Sequence, residues 1–75
     1  MAESSVREIR ERLGMSQTRF AATFGFSVST LRKWEQGSRH PEKPAEILLA
    51  VIAYAPEVVS QAVAQDRRRV AEVLP

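Results

Sequence analysis

Apolar residues recur at helical spacing along almost the whole chain, and short polar or glycine-bearing breaks separate the runs. Val6, Ile9 and Leu13 share one face of a first helix, because side chains three and four positions apart stack on the same side. Ser5-Val6-Arg7-Glu8 has the form of a capping box that opens this helix, and Gly14 closes it. Met15 packs as the chain turns, and Ser16 caps a second helix that runs to Phe24. Phe20 and Phe24 form an i, i+4 pair on it. Gly25 suits the left-handed residue that ends a helix sharply, and small Ala21 lies one turn before it, where two helices cross closely. Ser27 caps a third helix through Gln36, with Leu31 and Trp34 on its inner face and Gly37 at its end.

A polar loop follows over Ser38 to Lys43, and Pro44 belongs in the first turn of a fourth helix. Its expected buried stripe is Ile47, Leu48, Val51 and Ile52. Ala55-Pro56 breaks the pattern, and Pro56 begins a fifth helix. Val58, Val59, Ala62 and Val63 form a stripe on it, which Val70, Val73 and Leu74 resume after the charged run Asp66-Arg67-Arg68-Arg69. Either one long helix crosses that run or two short ones meet near Gln65-Asp66; helix is expected at least to Ala64, with helical residues beyond. The fold class is all-α: five helices in a single domain over residues 1–75, with the core at about 5–55 and the fifth helix and tail at 56–75.

Composition narrows the chemistry. Seventy-five residues support one small helical core. There is no cysteine, which removes disulfides and thiolate metal sites, and the lone His40 beside Pro41 is too few ligands for a metal centre. No glycine-rich phosphate loop or paired-carboxylate motif is present, so neither an enzyme nor a cofactor is expected. The polar start and the lack of a long apolar run give no sign of a signal peptide or membrane span, and a soluble, cytoplasmic chain is expected. Net charge is only +2, but from Gln17 to Lys43 there are Arg19, Arg32, Lys33, Arg39 and Lys43 against Glu35 and Glu42. That local basic excess is the electrostatic footprint of a nucleic-acid binder.

The segment Gln17 to Gln36, QTRFAATFGFSVSTLRKWEQ, resembles a helix-turn-helix of the lambda-repressor-like (Xre/Cro) class. That class expects alanine at its fifth position, glycine at the ninth and apolar residues at the fourth, eighth, tenth, fifteenth and eighteenth. Ala21, Gly25, Phe20, Phe24, Phe26, Leu31 and Trp34 occupy them, and the flanks Leu13-Gly14-Met15-Ser16-Gln17 and Trp34-Glu35-Gln36-Gly37 agree. The resemblance covers roughly residues 6 to 55. It implies a five-helix DNA-binding domain in which the second and third helices form the motif and the third reads bases.

On that helix the face opposite Leu31 and Trp34 carries Val28, Ser29, Arg32 and Lys33. A recognition helix presents its N-terminal residues to base edges in the major groove. Ser29 can donate or accept there, Lys33 can donate to guanine O6 or N7, and Val28 can touch a thymine methyl. Thr30 belongs either to that face or to the side toward the second helix. The resemblance assigns base reading chiefly to Val28, Ser29 and Lys33, with Ser27 and Arg32 at the edges. Ser27 and Gln17 are expected at DNA phosphates; in this class a glutamine at the second helix's start grips the backbone and braces the reading helix. Arg39 and Lys43 either hold the far strand or are plain loop charges. Members of the class often pair residues like Arg10 and Glu35 partly buried, which reads as architecture. Arg67-Arg68-Arg69 reads as a solvated helix face.

One helix-turn-helix covers few base pairs, so a homodimer on a palindromic operator of double-stranded DNA is expected. Val58, Val59, Ala62, Val63 and Val70 have no evident internal partner in the sequence and are the expected seam. The run Phe24-Gly25-Phe26-Ser27 to Trp34-Glu35-Gln36-Gly37, with Pro44 and Leu48 to Ala53 after it, is similar to HigA-type antitoxins. That likeness implies an autoregulating repressor with a toxin protein as partner. The alternatives are a free-standing or phage-type regulator of the same class and an interaction module that does not read DNA.

Overall fold

The computed structural model describes residues 4–73, and the side chains of 6–69. Five α-helices follow in order: α1 Ser4–Arg12, α2 Gln17–Phe24, α3 Val28–Gln36, α4 Lys43–Tyr54 and α5 Pro56–Val73. Helix α5 runs unbroken through the charged segment, which decides between the two arrangements open for the tail. Helix α1 begins one residue before Ser5, so that residue sits in the first turn and is not the cap.

The two middle helices start and stop as their local chemistry dictates. Ser16 Oγ accepts the Arg19 N–H at 3.1 Å, and Ser27 Oγ accepts the Thr30 N–H at 3.0 Å. Each bond satisfies a donor that a helix start otherwise leaves open, and loss of such a cap costs about 1 kcal/mol. Gly25 has φ +83°, which turns the chain between α2 and α3; its N–H bonds to the Ala21 carbonyl. A Cβ there would meet only Val63 at 3.6 Å, so the backbone conformation and not space demands glycine. Helix α4 takes Glu42 as N-cap with Lys43 already helical, which moves Lys43 out of the loop and onto the first turn.

Phe20, Phe24, Leu31, Leu49 and Ile52 are the largest fully buried side chains, and Val6, Ile9, Ala21, Trp34 and Val59 complete the buried cluster. Burying each large side chain stabilises the fold by about 1.5–3 kcal/mol. Phe20 and Phe24 meet with ring centroids 4.8 Å apart, and Phe26 stands edge-on to Trp34 at 5.2 Å. Tilted and edge-to-face contacts suit the ring quadrupoles.

The stripe expected on α4 is rotated in the structure. Leu49 and Ile52 are fully buried and Leu48 half-buried, whereas Ile47 is 56% and Val51 39% exposed. Nearly every residue from Ala45 to Ala53 is apolar, so helical periodicity selects no unique face. Packing against α1 and α5 selects Ala45, Leu48, Leu49 and Ile52, one i, i+3, i+4, i+7 stripe. Helix α5 is part of the same core. Val59 is 6% exposed and Val63 packs on the cluster, so the core extends past residue 55.

Candidate nucleic-acid interface

Helix α3 is anchored from within. Leu31 has no exposed surface and Trp34 is 6% exposed, which fixes which side of the helix looks outward. On the outward side Ser29, Arg32 and Lys33 are exposed at i, i+3 and i+4 and share one face. Val28 departs from the expectation: it is half-buried and packs on the core, because the first turn of α3 leans onto the bundle. Thr30 does not turn to α2. Its Oγ1 accepts from Ser27 Oγ at 2.8 Å, and it lines a surface recess with Trp34, Arg39, Pro44 and Ala45 on the α4 side.

Behind that face lies a polar network that joins three helices. Arg10 donates through Nε to Glu35 Oε2 at 2.7 Å and through Nη2 to Oε1 at 2.9 Å, a two-pronged pair. Its remaining prong, Nη1, donates to the Met15 carbonyl at 3.0 Å. The Glu35 side chain is 1% exposed and that of Arg10 14%. Gln17 Nε2 donates to Glu35 Oε1 at 3.2 Å, and the Arg32 Nε donates to Gln17 Oε1 at 3.4 Å. Arg7, 58% exposed, adds a looser ionic contact to Glu35 at 3.6 Å. Burial pushes the Glu35 carboxyl up, but hydrogen bonds from Arg10 and Gln17 and the charges of Arg10 and Arg7 outweigh it and hold it below the ordinary carboxylate range. The carboxylate therefore stays charged and keeps Gln17 and, through it, Arg32 in place. Sequence spacing carries no signal for the Gln17 bridge, since its partners lie 15 and 18 residues away.

Arg39 and Lys43, the two other cations expected at phosphates, follow α3 along the chain. Arg39 is exposed just past α3, and its N–H bonds to the Lys33 carbonyl at 3.3 Å. Lys43 is exposed on α4 with Glu46 at 3.9 Å, a loose surface pair. At the start of α2 the first ladder bond is Phe20 N–H to the Ser16 carbonyl, and Arg19 N–H is used by the cap. The earlier amides, of Gln17 and Thr18, are the helix-start donors that an anion can use. Ser27 is exposed at the start of α3, where its hydroxyl donates to Thr30 Oγ1 and accepts from Thr30 N–H as the cap.

The helix-turn-helix family model matches residues 6–49, more than half of the chain, and is of the lambda-repressor-like (Xre/Cro) type. The chain belongs to this helix-turn-helix family. No curated protein and no solved structure matches it. The match ends within α4 and takes in the whole motif, α2 and α3, so this helix-turn-helix protein is a DNA-binding transcription regulator.

The helix-turn-helix protein uses α5 differently from the expected seam. Val59 and Val63 have internal partners, because α5 folds back across α2 and α4 and buries that side. Val58, 60% exposed, and Ala62 face outward; the Val70 side chain lies outside the described residues. Among the described residues, the large apolar side chains left exposed are Ile47, Val51 and Tyr54 on α4, with Val58 one turn into α5. Arg67 is not simply solvated: its Nη2 donates to the Ala22 carbonyl at 2.7 Å, 45 residues away. Arg69 pairs with Asp66 at 3.1 Å. Among the described residues no three His, Asp or Glu converge as a metal site, and no single helix is long and apolar enough to cross a membrane.

Proposed function

We propose that this regulator is a repressor that reads a palindromic operator as a homodimer, with α3 in the major groove. The observation that carries the reading is the division of α3 into a locked inner face and an exposed face of Ser29, Arg32 and Lys33. Ser29 and Lys33 contact base edges, and Arg32, braced by Gln17, lies at the rim. Val28, half-buried, offers only part of its surface to a thymine methyl. Gln17 contacts phosphate with its second amide hydrogen and the free backbone amides at the start of α2. Arg39 and Lys43 hold the backbone beyond α3.

The test is enrichment of duplexes from a random-sequence pool, followed by titration of the enriched and a scrambled duplex at several salt concentrations. Lys33→Ala should weaken the enriched duplex far more than the scrambled one, by about 1–3 kcal/mol for one lost base contact. Arg39→Ala should weaken both alike and lower the log–log salt slope by roughly one per protomer, one counterion per lost phosphate contact. Parallel losses for Lys33→Ala would make it a backbone contact only. A chain that enriches nothing would be an interaction module.

The seam of the proposed dimer is Ile47, Val51 and Tyr54 with Val58, the large apolar side chains left exposed among the described residues. Ile47, Val51 and Tyr54 follow i, i+4, i+7 spacing on α4, and a two-fold axis needs one such self-complementary patch. Light scattering at micromolar concentration should give twice the chain mass, and Val51→Asp should halve it with helix content intact. The HigA-type antitoxin role rests on the sequence resemblance. It predicts that a neighbouring reading frame arrests growth when expressed alone and is relieved by this chain; growth without arrest favours a free-standing regulator.

A further inference from the structure

The bond between Arg67 and Ala22 closes the end of α2 in a way that the turn itself cannot. The N–H groups of Gly25 and Phe26 both go to the Ala21 carbonyl, at 2.9 and 2.8 Å. The Ala22 carbonyl, one of the open acceptors of a helix C-terminus, receives the Arg67 guanidinium at 2.7 Å instead. A cation there also complements the negative end of the helix. One turn earlier on α5, Val63 lies against Gly25, with Cγ2 3.6 Å from where a Cβ would stand. One turn earlier again, Val59 is buried in the core. Positions 59, 63 and 67 are successive i, i+4 steps, so one face of α5 runs from the core along the α2–α3 turn. Helix α3 starts only three residues after Gly25.

We propose that Arg67 is a positioning residue for DNA recognition: α5 acts as a strap whose hold on Ala22 and Gly25 sets the angle at which α3 meets the groove. The inference rests on the DNA-reading role of α3. Arg67 is exposed, so its bond adds little to global stability; its effect is on geometry. Base contacts need side chains within hydrogen-bond reach, and a tilt of the reading helix removes them while backbone attraction survives.

The probe is the duplex that the full chain enriches from a random pool, titrated beside its scrambled form. Arg67→Met keeps the aliphatic stem but loses charge and donors; Arg68→Met removes the same charge one position along, where the side chain is exposed. Arg67→Met should lower the enriched-to-scrambled affinity ratio about tenfold, the equivalent of one base contact. Arg68→Met should weaken both duplexes alike and leave the ratio within about twofold, as charge alone does. Arg67→Lys, which can still donate to the carbonyl, should recover most of the ratio. Equal ratios for Arg67→Met and Arg68→Met overturn the proposal and leave α3 as the reader. If the parent enriches no duplex, the DNA reading itself fails and the positioning role with it. Circular dichroism checks that each variant is folded at the assay temperature. Should Arg67→Met not fold, Val63→Ala loosens the strap from its apolar side, with the same expected loss and the same refutation.

Discussion

Replacing Arg10 alone should damage this protein more than replacing the whole Arg10–Glu35 pair. In Arg10→Met the Glu35 carboxylate, 1% exposed, loses the two bonds at 2.7 and 2.9 Å. The Met15 carbonyl loses its donor at 3.0 Å as well. Stranding a buried charge costs about 3–5 kcal/mol. Gln17 at 3.2 Å and Arg7 at 3.6 Å remain to compensate the carboxylate, which places the loss at the lower end, about 3 kcal/mol. A domain of this size has about 4–11 kcal/mol of stability in total. The single change should therefore lower Tm by about 12–24 °C, at 4–8 °C per kcal/mol.

Arg10→Met combined with Glu35→Met removes both charges and fills similar volume, and such exchanges are often neutral or stabilising. The Gln17 amide and the Met15 carbonyl then lose partners, at about 1 kcal/mol each when buried and less where water reaches them, and Arg7, 58% exposed, loses a loose ionic contact of little worth. The double variant should recover about 1–2 kcal/mol relative to the single one. Urea and thermal melts of wild type, both single variants and the double, read as a double-mutant cycle, measure this. A double variant no more stable than Arg10→Met would refute the stranded-charge argument. A loss below about 0.5 kcal/mol for Arg10→Met, the ordinary range for a surface substitution, would place the pair in water.

Acid should act through the same carboxylate. Its depressed folded pKa means that its stabilising contribution is complete above the ordinary carboxylate value near 4.3 and disappears as pH falls through the lower folded value. The stability difference between wild type and Glu35→Gln should shrink on going from pH 6 to pH 3; a difference independent of pH would contradict it. The rotated face of α4 predicts that Ile52→Ala costs about 2–5 kcal/mol at any protein concentration, as a fully buried side chain does. Ile47→Ala should instead change melting only in proportion to dimer population, which a dilution series reveals. Ser27→Ala should cost about 1 kcal/mol through the lost cap; an unchanged denaturant midpoint would count against the cap.

What the sequence determined by itself is everything set by short-range chemistry. Ser16, Ser27, Gly25 and Gly37 act on backbone groups within a few residues, so the two short helices and their turn were legible with their ends. Phe20 and Phe24 were legible as core because they stack one turn apart, and Leu31 and Trp34 because Thr30, Arg32, Lys33 and Glu35 around them leave one possible inner face. Tertiary structure alone decided the rest. Helix α4 is apolar almost all round, so its buried side follows from what α1 and α5 present to it. Val59 and Val63 look unpartnered along the chain, and gain partners only when α5 folds back over the α2–α3 turn. Gln17 and Arg67 each find their acceptors across the fold, at Glu35 and Ala22. Long flexible side chains with several donors carry no periodic signal, and their targets are fixed by where the helices come to rest.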